Sequence, residues 1–291
     1  MLRRDVEPTF VGTAATLLHR RSAIPERARL HQWITEEDGV VIGYAGAELP
    51  WDTSQEGVGE FHVVVAPLAR RRGVGGALYD RAIGHLRSAG ARTAGSWAQP
   101  DGIGFLERRG HERRRSSRQS ALDLREADLT QLPSLEEEKA REGFEVVPLG
   151  DVFDRPQDLY QLDVATSADE PSDYPIDAMA YDEWLRTTYE HPGIDRDLSR
   201  VVLAGRPLVA WALIGTDGAG RGVNNFTGTR PEYRGRGLGR LVKLAAAQAA
   251  REAGVEVLYT GNDATNAPML AINERMGYRP IAKLHYLVRT L

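Results

Sequence analysis

Cysteine is absent from this chain of 291 residues. Its absence excludes disulfides, thiolate zinc sites, iron–sulfur clusters and a cysteine nucleophile. Long apolar runs are missing too, since none approaches the roughly 20 residues of a membrane span. The basic N-terminal segment MLRRDVEPTF is not followed by an apolar core. We therefore expect neither a signal peptide nor a membrane partner.

The chain also lacks an excess of positive charge and any paired histidines. Its net charge of −4 gives no reason to expect nucleic acid as a partner. The seven histidines are scattered singly, and none matches a ligand spacing such as HExxH, so we predict no metal site. A hydrophobic content of 42% and a charged content of 27% are typical of a soluble globular protein. The length suggests two domains of ordinary size.

An internal repeat divides the chain. Residues 65–75, VAPLARRRGVG, align with residues 229–239, TRPEYRGRGLG, at a constant offset of 164 positions. Further on, ERRGH at 107–111 aligns with ERMGY at 274–278 at an offset of 167. A domain-sized period indicates a duplicated domain and not a solenoid. We predict an N-terminal domain at 1–124, a charged linker at 125–143 that could hold a short helix, and a C-terminal domain at 144–291.

Both copies predict the same order of elements. A β-branched run precedes each Arg/Gly loop, and apolar residues follow the loop at helical spacing. Glycines stand where helices should end. The predicted strands are 61–65, 92–97, 144–149, 223–229 and 255–260, and the second helix of each copy is expected to end at Gly110 or Gly277. This order predicts an α/β architecture with a partly parallel sheet.

The repeated R-x-x-G-x-G loop has the composition of an anion-binding site. The first turn of a helix offers unpaired N–H groups and a positive dipole end. Glycines let the backbone approach an anion closely, and arginines add charge-assisted hydrogen bonds. The nucleoside-triphosphate pattern GxxxxGK[ST] is absent. The dinucleotide fingerprint fails because its sixth position would be Leu78, Arg240 or Val242, depending on the glycine from which one counts. The loops therefore predict two pyrophosphate cradles.

At these residues the chain resembles the GNAT superfamily of N-acetyltransferases. Residues 65–75 fit that family's V-x-P-x-x-R-x-x-G-x-G motif in full, whereas the second copy has Thr229 in place of the valine. Residues 262–278 resemble the family's next motif, N-x-x-x-N-x-x-M-x-x-x-N-x-x-x-G-[FY]. The resemblance covers both copies and is closest to the two-domain type of mycothiol synthase and its relatives. It implies two tandem GNAT-like α/β domains, each with a mixed, partly parallel, twisted sheet flanked by helices.

The resemblance also implies acetyl-CoA as cosubstrate, and with it a cytoplasmic protein. Backbone N–H groups of the loops would hold the pyrophosphate, and the preceding strands would pair with the pantetheine arm. By position, the implied contacts are Thr227, Thr229, Arg234, Gly235, Arg236, Gly237, Leu238, Gly239, Arg240 and Asn266 in the second copy, and Val63, Val65, Arg70, Arg71, Arg72, Gly73, Val74, Gly75 and Gly76 in the first.

The implied reaction is transfer of acetyl to a small primary amine by direct attack in a ternary complex. A base must take the proton of the amine, and a donor must stabilise the oxyanion. Many family members carry a tyrosine acid four residues before the final motif glycine, but here Leu106 and Asn273 occupy those positions. Tyr259, Tyr278 and Tyr286 are substitutes that the sequence does not rank.

Candidate bases are divided between the two copies. Family members often use a glutamate near the start of the motif strand; the first copy has Glu60 there and the second has Asn224. Residues 156–185 contain eight acidic and no basic residues, and such a rim would attract a cationic amine. We therefore hypothesise that Glu170 or Asp173 binds or deprotonates the acceptor of the second domain.

These observations place the predicted active site in the C-terminal domain of a monomer or homodimer. Two alternatives stay open. The N-terminal domain could be the active one, with Glu60 as base. A non-catalytic acyl-CoA sensor is the other alternative, because neither copy keeps both the glutamate and the tyrosine.

Overall fold

The computed structural model describes residues 2–7 and 9–291. The first repeat forms, in chain order, α1 (Leu2–Val6), α2 (Ala14–Ala23), β1 (His31–Glu37), β2 (Val40–Glu48), β3 (Val58–Val65), α3 (Val74–Ser88), β4 (Thr93–Ala98), α4 (Pro100–Glu107) and β5 (Glu112–Asp123). The second forms α5 (Leu132–Arg141), β6 (Phe144–Pro148), α6 (Pro156–Ser167), α7 (Tyr181–Trp184), β7 (Asp195–Ala204), β8 (Leu208–Thr216), β9 (Arg221–Thr229), α8 (Leu238–Glu252), β10 (Val257–Asp263), α9 (Ala267–Arg275) and β11 (Arg279–Thr290).

The repeated order of strand, loop, helix, strand and helix is confirmed in both halves. The helices α3 and α8 begin at the loop glycines, and Gly110 and Gly277 follow the ends of α4 and α9 with φ values of 79° and 88°. Within the predicted linker, α5 packs against α8 and β6. No helix in the described part of the chain is long and apolar enough to cross a membrane.

All eleven strands join one continuous sheet. Their order is β1-β2-β3-β4-β11-β5-β10-β9-β8-β7-β6. The last strands of the two repeats are exchanged: β11 lies beside β4 of the first repeat, and β5 lies beside β10 of the second. The two exchanged strands also pair with each other along most of their length. Each repeat therefore completes its sheet with a strand of the other.

A notch opens in the sheet at the same place in each repeat. Pairing between β3 and β4 is parallel and covers only 58–60 with 93–95, after which the strands separate. Pairing between β9 and β10 likewise covers only 221–223 with 257–259. The partly parallel sheet predicted from the sequence is thus present in both halves, and each parallel pair ends in a gap between two diverging strands.

The helices that follow the loops cover one face of the sheet. The α8 residues predicted at helical spacing are all buried: Leu238, Leu241, Val242, Ala245 and Ala249. They pack in one cluster with β7, β8 and residues of α5. A second cluster around α3 forms the core of the first repeat. A third fills the opposite face of the second repeat with α6, α7 and the inner side of β8.

Candidate functional site

The two Arg/Gly loops have the same backbone geometry. Gly73 and Gly237 precede α3 and α8 with φ values of 88° and 77°, a left-handed conformation that favours glycine. Arg70 Nε donates to the carbonyl of Val65 at 3.2 Å. In the second repeat, Arg234 Nε donates to the carbonyl of Thr229 at 3.1 Å. Each loop is therefore folded back onto its own strand in the same way.

Strand alternation fixes which N–H groups point into the notches. Ala66 donates its N–H to Ile42 on β2 at 2.9 Å, so the N–H groups of Val65 and Val63 point away from β2. That direction is the notch beside β4. The corresponding bond from Arg230 to Val209 gives the same orientation in the second repeat. There Thr227 and Thr229 face the notch beside β10.

The loops differ in their side chains. The structure places Val74, Gly75 and Gly76 in the first turn of α3, and Leu238, Gly239 and Arg240 in the first turn of α8. Loop arginines are held by neighbours in both repeats: Arg70 by Asp101, Arg72 by Glu37, Arg234 by Asp169, Arg240 by Gln131, and Arg236 near the rings of Tyr233 and Phe144. Arg71 has a φ of 61° where the second repeat has Gly235 at 76°.

A cavity of ≈ 460 Å³ occupies the notch of the first repeat. Its walls are the loop, the diverging ends of β3 and β4, and α4. Arg109, at the end of α4, reaches the first turn of α3, where a Cβ on Gly76 would lie 3.5 Å from its Nη2. In the second repeat the equivalent positions are Met276 and Arg240. Each repeat therefore brings one arginine to this turn, from a different element.

A second cavity of ≈ 280 Å³ adjoins the first on the other side of the β3–β4 junction. The two cavities share four lining residues, which are Phe61, His62, Ser96 and Trp97. Glu60 lines the smaller cavity at the last parallel pair before the notch. A group in the smaller cavity would therefore meet a group in the notch beside Glu60.

Two tyrosine hydroxyls donate to the same oxygen of Glu60. Tyr174 lies 2.9 Å and Tyr286 lies 3.1 Å from Glu60 Oε1. Both come from the second repeat, Tyr174 from the segment between α6 and α7 and Tyr286 from the exchanged strand β11. Tyr286 fits because β4 has a glycine beneath it: a Cβ on Gly95 would lie 2.0 Å from its hydroxyl.

Burial and like charge shift the titration of this carboxylate. Burial raises the pKa of Glu60, and the negative charges of Glu48 and Asp52 raise the pKa further, against the two tyrosine hydrogen bonds. Burial also raises the pKa of Tyr286 and Tyr174, and the negative charge of Glu60 adds to both shifts. The phenols therefore keep their protons at neutral pH, and the pKa of Glu60 lies above that of an exposed glutamate.

The equivalent position of the second repeat has a structural role. Asn224 is buried and donates its side-chain N–H groups to the carbonyls of Leu213 and Phe226, at 3.2 and 2.8 Å. Its oxygen accepts from Thr227 at 2.9 Å. These bonds span a register shift between β8 and β9. Asn224 therefore secures a bulge within a hydrogen-bonded strand pair.

Packed side chains fill the face of β9 that corresponds to the smaller cavity. Trp211 lies opposite Gly228 on the neighbouring strand, and its indole donates to Thr166 of α6 at 3.1 Å. A Cβ on Gly228 would lie 2.5 Å from Thr166 Cβ. Trp211 also meets Phe226 edge to face. Close packing of α6 on β9 leaves little room there for an acceptor.

The acidic segment between α6 and α7 bridges the two repeats. Its side chains make four of the contacts that hold it, namely Asp169 with Arg234, Asp173 with Arg115, Tyr174 with Glu60, and Asp177 with the backbone of Ser54. Asp173 is thus engaged with Arg115, which also approaches Asp263 at 3.6 Å. Burial raises the pKa of Glu170, against the attraction of Arg115. The segment begins at the Arg/Gly loop of the second repeat and ends beside Ser54 of the first repeat.

The candidate tyrosines lie in three different environments. Tyr278 is buried, its hydroxyl has no hydrogen-bond partner within the described residues, and burial raises its pKa. Tyr259 lies under the guanidinium of Arg221. Tyr286 alone among these three contacts Glu60 in the structure as described. At the positions where the family often has tyrosine, Leu106 lies in the core and Asn273 donates to Asn262 at 2.6 Å.

Asn266 and its counterpart also differ. Asn266 caps α9 by accepting from the N–H of Met269 at 3.2 Å. The equivalent Gln99 precedes α4 and lines the large cavity of the first repeat. Sequence reasoning passed over Gln99, Tyr174 and Glu48. Gln99 could have been found from the repeat offset, but the other two carry no local motif.

The residues present suit acetyl-CoA at the first notch. The loop presents the unpaired N–H groups of a helix start, the notch presents those of Val63 and Val65, and the cavity joins the two. The free strand edge can pair with an extended amide chain such as a pantetheine arm. Glu60 then lies where the arm would end, at the closed end of the notch.

Comparisons with known proteins agree with this geometry. The model of the acetyltransferase (GNAT) family matches residues 2–111 and 157–278. The chain is 26% identical to the mycothiol acetyltransferase of Thermobifida fusca (strain YX), over 94% of this chain and 87% of that protein.

Solved structures show the same fold. A tandem GNAT protein from the clavulanic acid biosynthesis pathway superposes with a TM-score of 0.71 at 19% identity, covering 98% of this chain and 92% of that one. A GCN5-related N-acetyltransferase from Sphaerobacter thermophilus gives 0.63 at 18% identity, with coverages of 87% and 78%. The chain therefore belongs to the acetyltransferase (GNAT) family, as a tandem member that carries two copies of the fold and acts as an acetyl-CoA-dependent acyltransferase.

Proposed function

We propose that the protein transfers acetyl from acetyl-CoA to a small primary amine, and that the reaction takes place in the first repeat. One observation carries this assignment. Glu60 lies at the closed end of a notch, between a cavity suited to the cosubstrate and one suited to an acceptor. In the second repeat, the same position holds Asn224 within a packed strand pair. The geometry thus favours the N-terminal alternative that the sequence left open.

Glu60 is the proposed general base. The amine nitrogen must lose a proton as it forms a bond to the acetyl carbon, and Glu60 can take that proton from the acceptor cavity. The N–H groups of Val63 and Val65 point into the notch and can donate to the oxygen on which negative charge develops. Acetyl passes directly to the amine, so no acyl-enzyme is needed.

Tyr286 is the proposed acid. Cleavage of the carbon–sulfur bond leaves a thiolate that must be protonated, and the Tyr286 hydroxyl lies 3.1 Å from Glu60 Oε1, at the closed end of the notch. Tyr286 already donates a hydrogen bond to Glu60. When the phenol transfers its proton to the thiolate, it can therefore recover one from Glu60, namely the proton that Glu60 took from the amine. The exchange balances one proton removed with one delivered, and leaves both side chains as they began.

The second repeat is proposed to bind CoA without catalysing transfer. Its loop keeps the two left-handed positions and the folded-back arginine of the first loop. The Thermobifida fusca relative is named for mycothiol, and an acceptor of mycothiol-type synthesis is one option here. A cationic acceptor fits the acidic side chains around Glu60.

Matched substitutions in the two loops test which repeat reacts. Arg70→Ala and Arg234→Ala remove the same contact from equivalent loops. Thiol release from acetyl-CoA, measured with a panel of primary amines, should fall at least tenfold for Arg70→Ala and less than threefold for Arg234→Ala. The reverse ranking would place the reaction in the second repeat.

Calorimetric titration with acetyl-CoA measures the number of live sites. A stoichiometry of two would support cosubstrate binding in both repeats, and one would mean that one loop is silent. Repeating the titration on the two arginine variants identifies that loop. Absence of binding to the unmodified protein would refute the proposed reaction altogether.

A further inference from the structure

Two partly buried carboxylates lie side by side in the wall of the acceptor cavity. Glu48 on β2 and Glu60 on β3 are direct cross-strand partners, and both line the cavity of ≈ 280 Å³. Side chains in such a pair lie about 5 Å apart at Cβ, and like charges there destabilise a sheet. Glu48 Oε2 is buried without a hydrogen-bond partner in the described chain. A sheet that keeps this repulsive pair is expected to gain something from it at a functional site.

Neighbouring cations cancel only part of this negative charge. Arg3 and Arg20 line the cavity, and each is paired with a carboxylate, Arg3 with Glu7 and Arg20 with Glu48. Two further arginines lie nearby and are also paired: Arg27 with Glu183, and Arg115, which lies over the ring of Tyr286, with Asp173. His62 approaches Glu7 at 2.9 Å. Within residues 2–7 and 9–291, Glu60 and Asp52 form no ion pair with a basic side chain. Two carboxylates are thus left without a cationic partner.

Asp52 belongs to the same cluster. It follows the end of β2, and its backbone carbonyl accepts from the N–H of Asp177 at 2.7 Å. Burial raises the pKa of Asp52, and the charges of Asp177 and Glu183 raise it further. Its own charge acts on both Glu48 and Glu60. Asp52 therefore lies close enough to Glu48 and Glu60 for its charge to act on both, at the place where the acidic segment of the second repeat meets the first.

The cavity volume limits what can supply the missing charge. At roughly 30 Å³ per water in the liquid, ≈ 280 Å³ is the space of about nine waters. A small molecule fits such a space, but a segment of another protein does not. It would need one cation at Glu60, where the reaction is proposed, and one at Asp52.

We propose that the acceptor carries two cationic groups, a reacting amine beside Glu60 and a second cation beside Asp52, with Glu48 between them. This inference rests on the proposed function for the identity of the reacting end. Glu48 holds Arg20 with one oxygen, and its other oxygen is left without a partner beside the path of the acceptor chain. A zwitterionic acceptor, with a carboxylate directed to Arg20 or Arg3, is the rival that the experiment must exclude.

Tertiary amines test the binding site without turnover, because they cannot accept acetyl. Three matched probes are N,N,N′,N′-tetramethyl-1,4-diaminobutane, N,N-dimethylbutylamine and 4-(dimethylamino)butanoate. Calorimetry in the presence of saturating CoA should give a Kd for the diamine at least tenfold below that of the monoamine, with the zwitterion weakest. The advantage should shrink at high ionic strength, because the cluster is partly open to solvent.

Substitutions connect this advantage to particular carboxylates. Asp52→Asn should reduce the diamine preference to less than threefold, while Asp52→Glu should retain most of it. Glu145→Gln removes an equal charge from the exposed side of β6 and should change nothing. Far-ultraviolet circular dichroism checks that each variant is folded.

Each outcome decides for or against the dication site. Equal binding of diamine and monoamine, tightest binding of the zwitterion, or a preference that survives Asp52→Asn would overturn it. Diamine-selective binding combined with no acetylation of 1,4-diaminobutane would support the site and contradict the proposed reaction. The two proposals can therefore fail separately.

Discussion

The two repeats share a backbone and differ in what fills it. Both have the folded-back loop, a left-handed glycine before the helix and the notch at the end of three parallel pairs. In the first repeat, the notch joins two cavities beside a buried carboxylate. In the second, the acceptor face is packed with Trp211, Phe226 and α6, and an extra edge strand, β6, extends the sheet. Under the proposed assignment, one copy carries the reaction and the other is a packed support, because a site with cavities and partly buried charge costs stability.

The largest expected difference between the two repeats is at Glu60 and its counterpart Asn224. Glu60→Gln keeps the shape of the side chain and removes the base. We expect kcat/KM for amine acetylation to fall by roughly 10²–10⁴-fold, the usual contribution of general base catalysis. Thermal unfolding should show no loss of stability, because burial already disfavours the ionised carboxylate.

The pH profile separates this role from a structural one. Since the base must be ionised, kcat/KM of the unmodified protein should rise with pH through the raised pKa of Glu60. Glu48→Gln removes a negative neighbour that helps to raise that pKa, so the rising limb should move to lower pH. An unchanged limb in Glu48→Gln would contradict the assignment of Glu60 as base.

A buried polar pair gives the second comparison. In the first repeat, the Tyr79 hydroxyl lies 3.0 Å from His111 Nε2. The equivalent residues of the second repeat are Lys243 and Tyr278, and Lys243 Nζ lies over the tyrosine ring, 5.1 Å from its centre. Burial lowers the pKa of Lys243 to about 7. The unfolded chain therefore binds more protons than the folded one between pH 7 and about 10.5, and stability rises with pH across that window.

Lys243→Met should remove that rise. We expect the free energy of unfolding at pH 7 to increase by a few kcal/mol, on the order set by about 1.4 kcal/mol per pKa unit. Urea unfolding of both proteins from pH 7 to 10 measures the difference.

His111 supplies the contrast on the acid side. Burial, with the charge of Arg289, lowers the pKa of His111 to about 4, so the free energy of unfolding should fall as pH drops from about 6.5 to 4.

Asn224 should behave as the opposite of Glu60. Asn224→Ala removes three hydrogen bonds of a buried amide and leaves two carbonyls without these partners. We expect the free energy of unfolding to fall by about 1–3 kcal/mol. Activity per folded molecule should stay within twofold of the unmodified protein. A large loss of kcat with intact stability would instead implicate the second notch in the chemistry.

The smallest expected effect concerns the loop backbones. Arg71 adopts a left-handed φ at the position where the second repeat has Gly235. A non-glycine residue there costs roughly 1–2 kcal/mol. Arg71→Gly should therefore raise stability slightly, and Gly235→Ala should lower it by about 1 kcal/mol. Thermal unfolding without acetyl-CoA measures both, and equal shifts of the same sign would contradict the comparison.

Sequence patterns predicted the parts of this protein that are encoded in short contiguous stretches. The loops, the strands before them and the helices after them each depend on about ten neighbouring residues, and all appear where expected. Domain boundaries and the roles of individual site residues stay predictions. The strand exchange was not predicted, because both end strands satisfy the same pattern whichever partner they take.

The environment of Glu60 could not be predicted from the sequence either. Its partners Tyr174 and Tyr286 lie 114 and 226 positions away along the chain. Nothing local to either tyrosine indicates that contact, since it follows from the exchange of β11 and from the path of the acidic segment. The acidic segment itself was predicted to serve the second repeat. The structure also brings it to the first.

The exchange of β5 and β11 determines how the coding sequence can be truncated or divided. A gene for this protein cannot be shortened from its 3′ end one domain at a time, because Tyr286 and the strand that closes the first sheet are encoded among the last codons described. A stop codon just before residue 279 would leave the loop at residue 70 untouched and still disable the site that it serves. Conversely, the two halves expressed as separate chains would each carry a strand that the other requires, so they should depend on each other to become soluble.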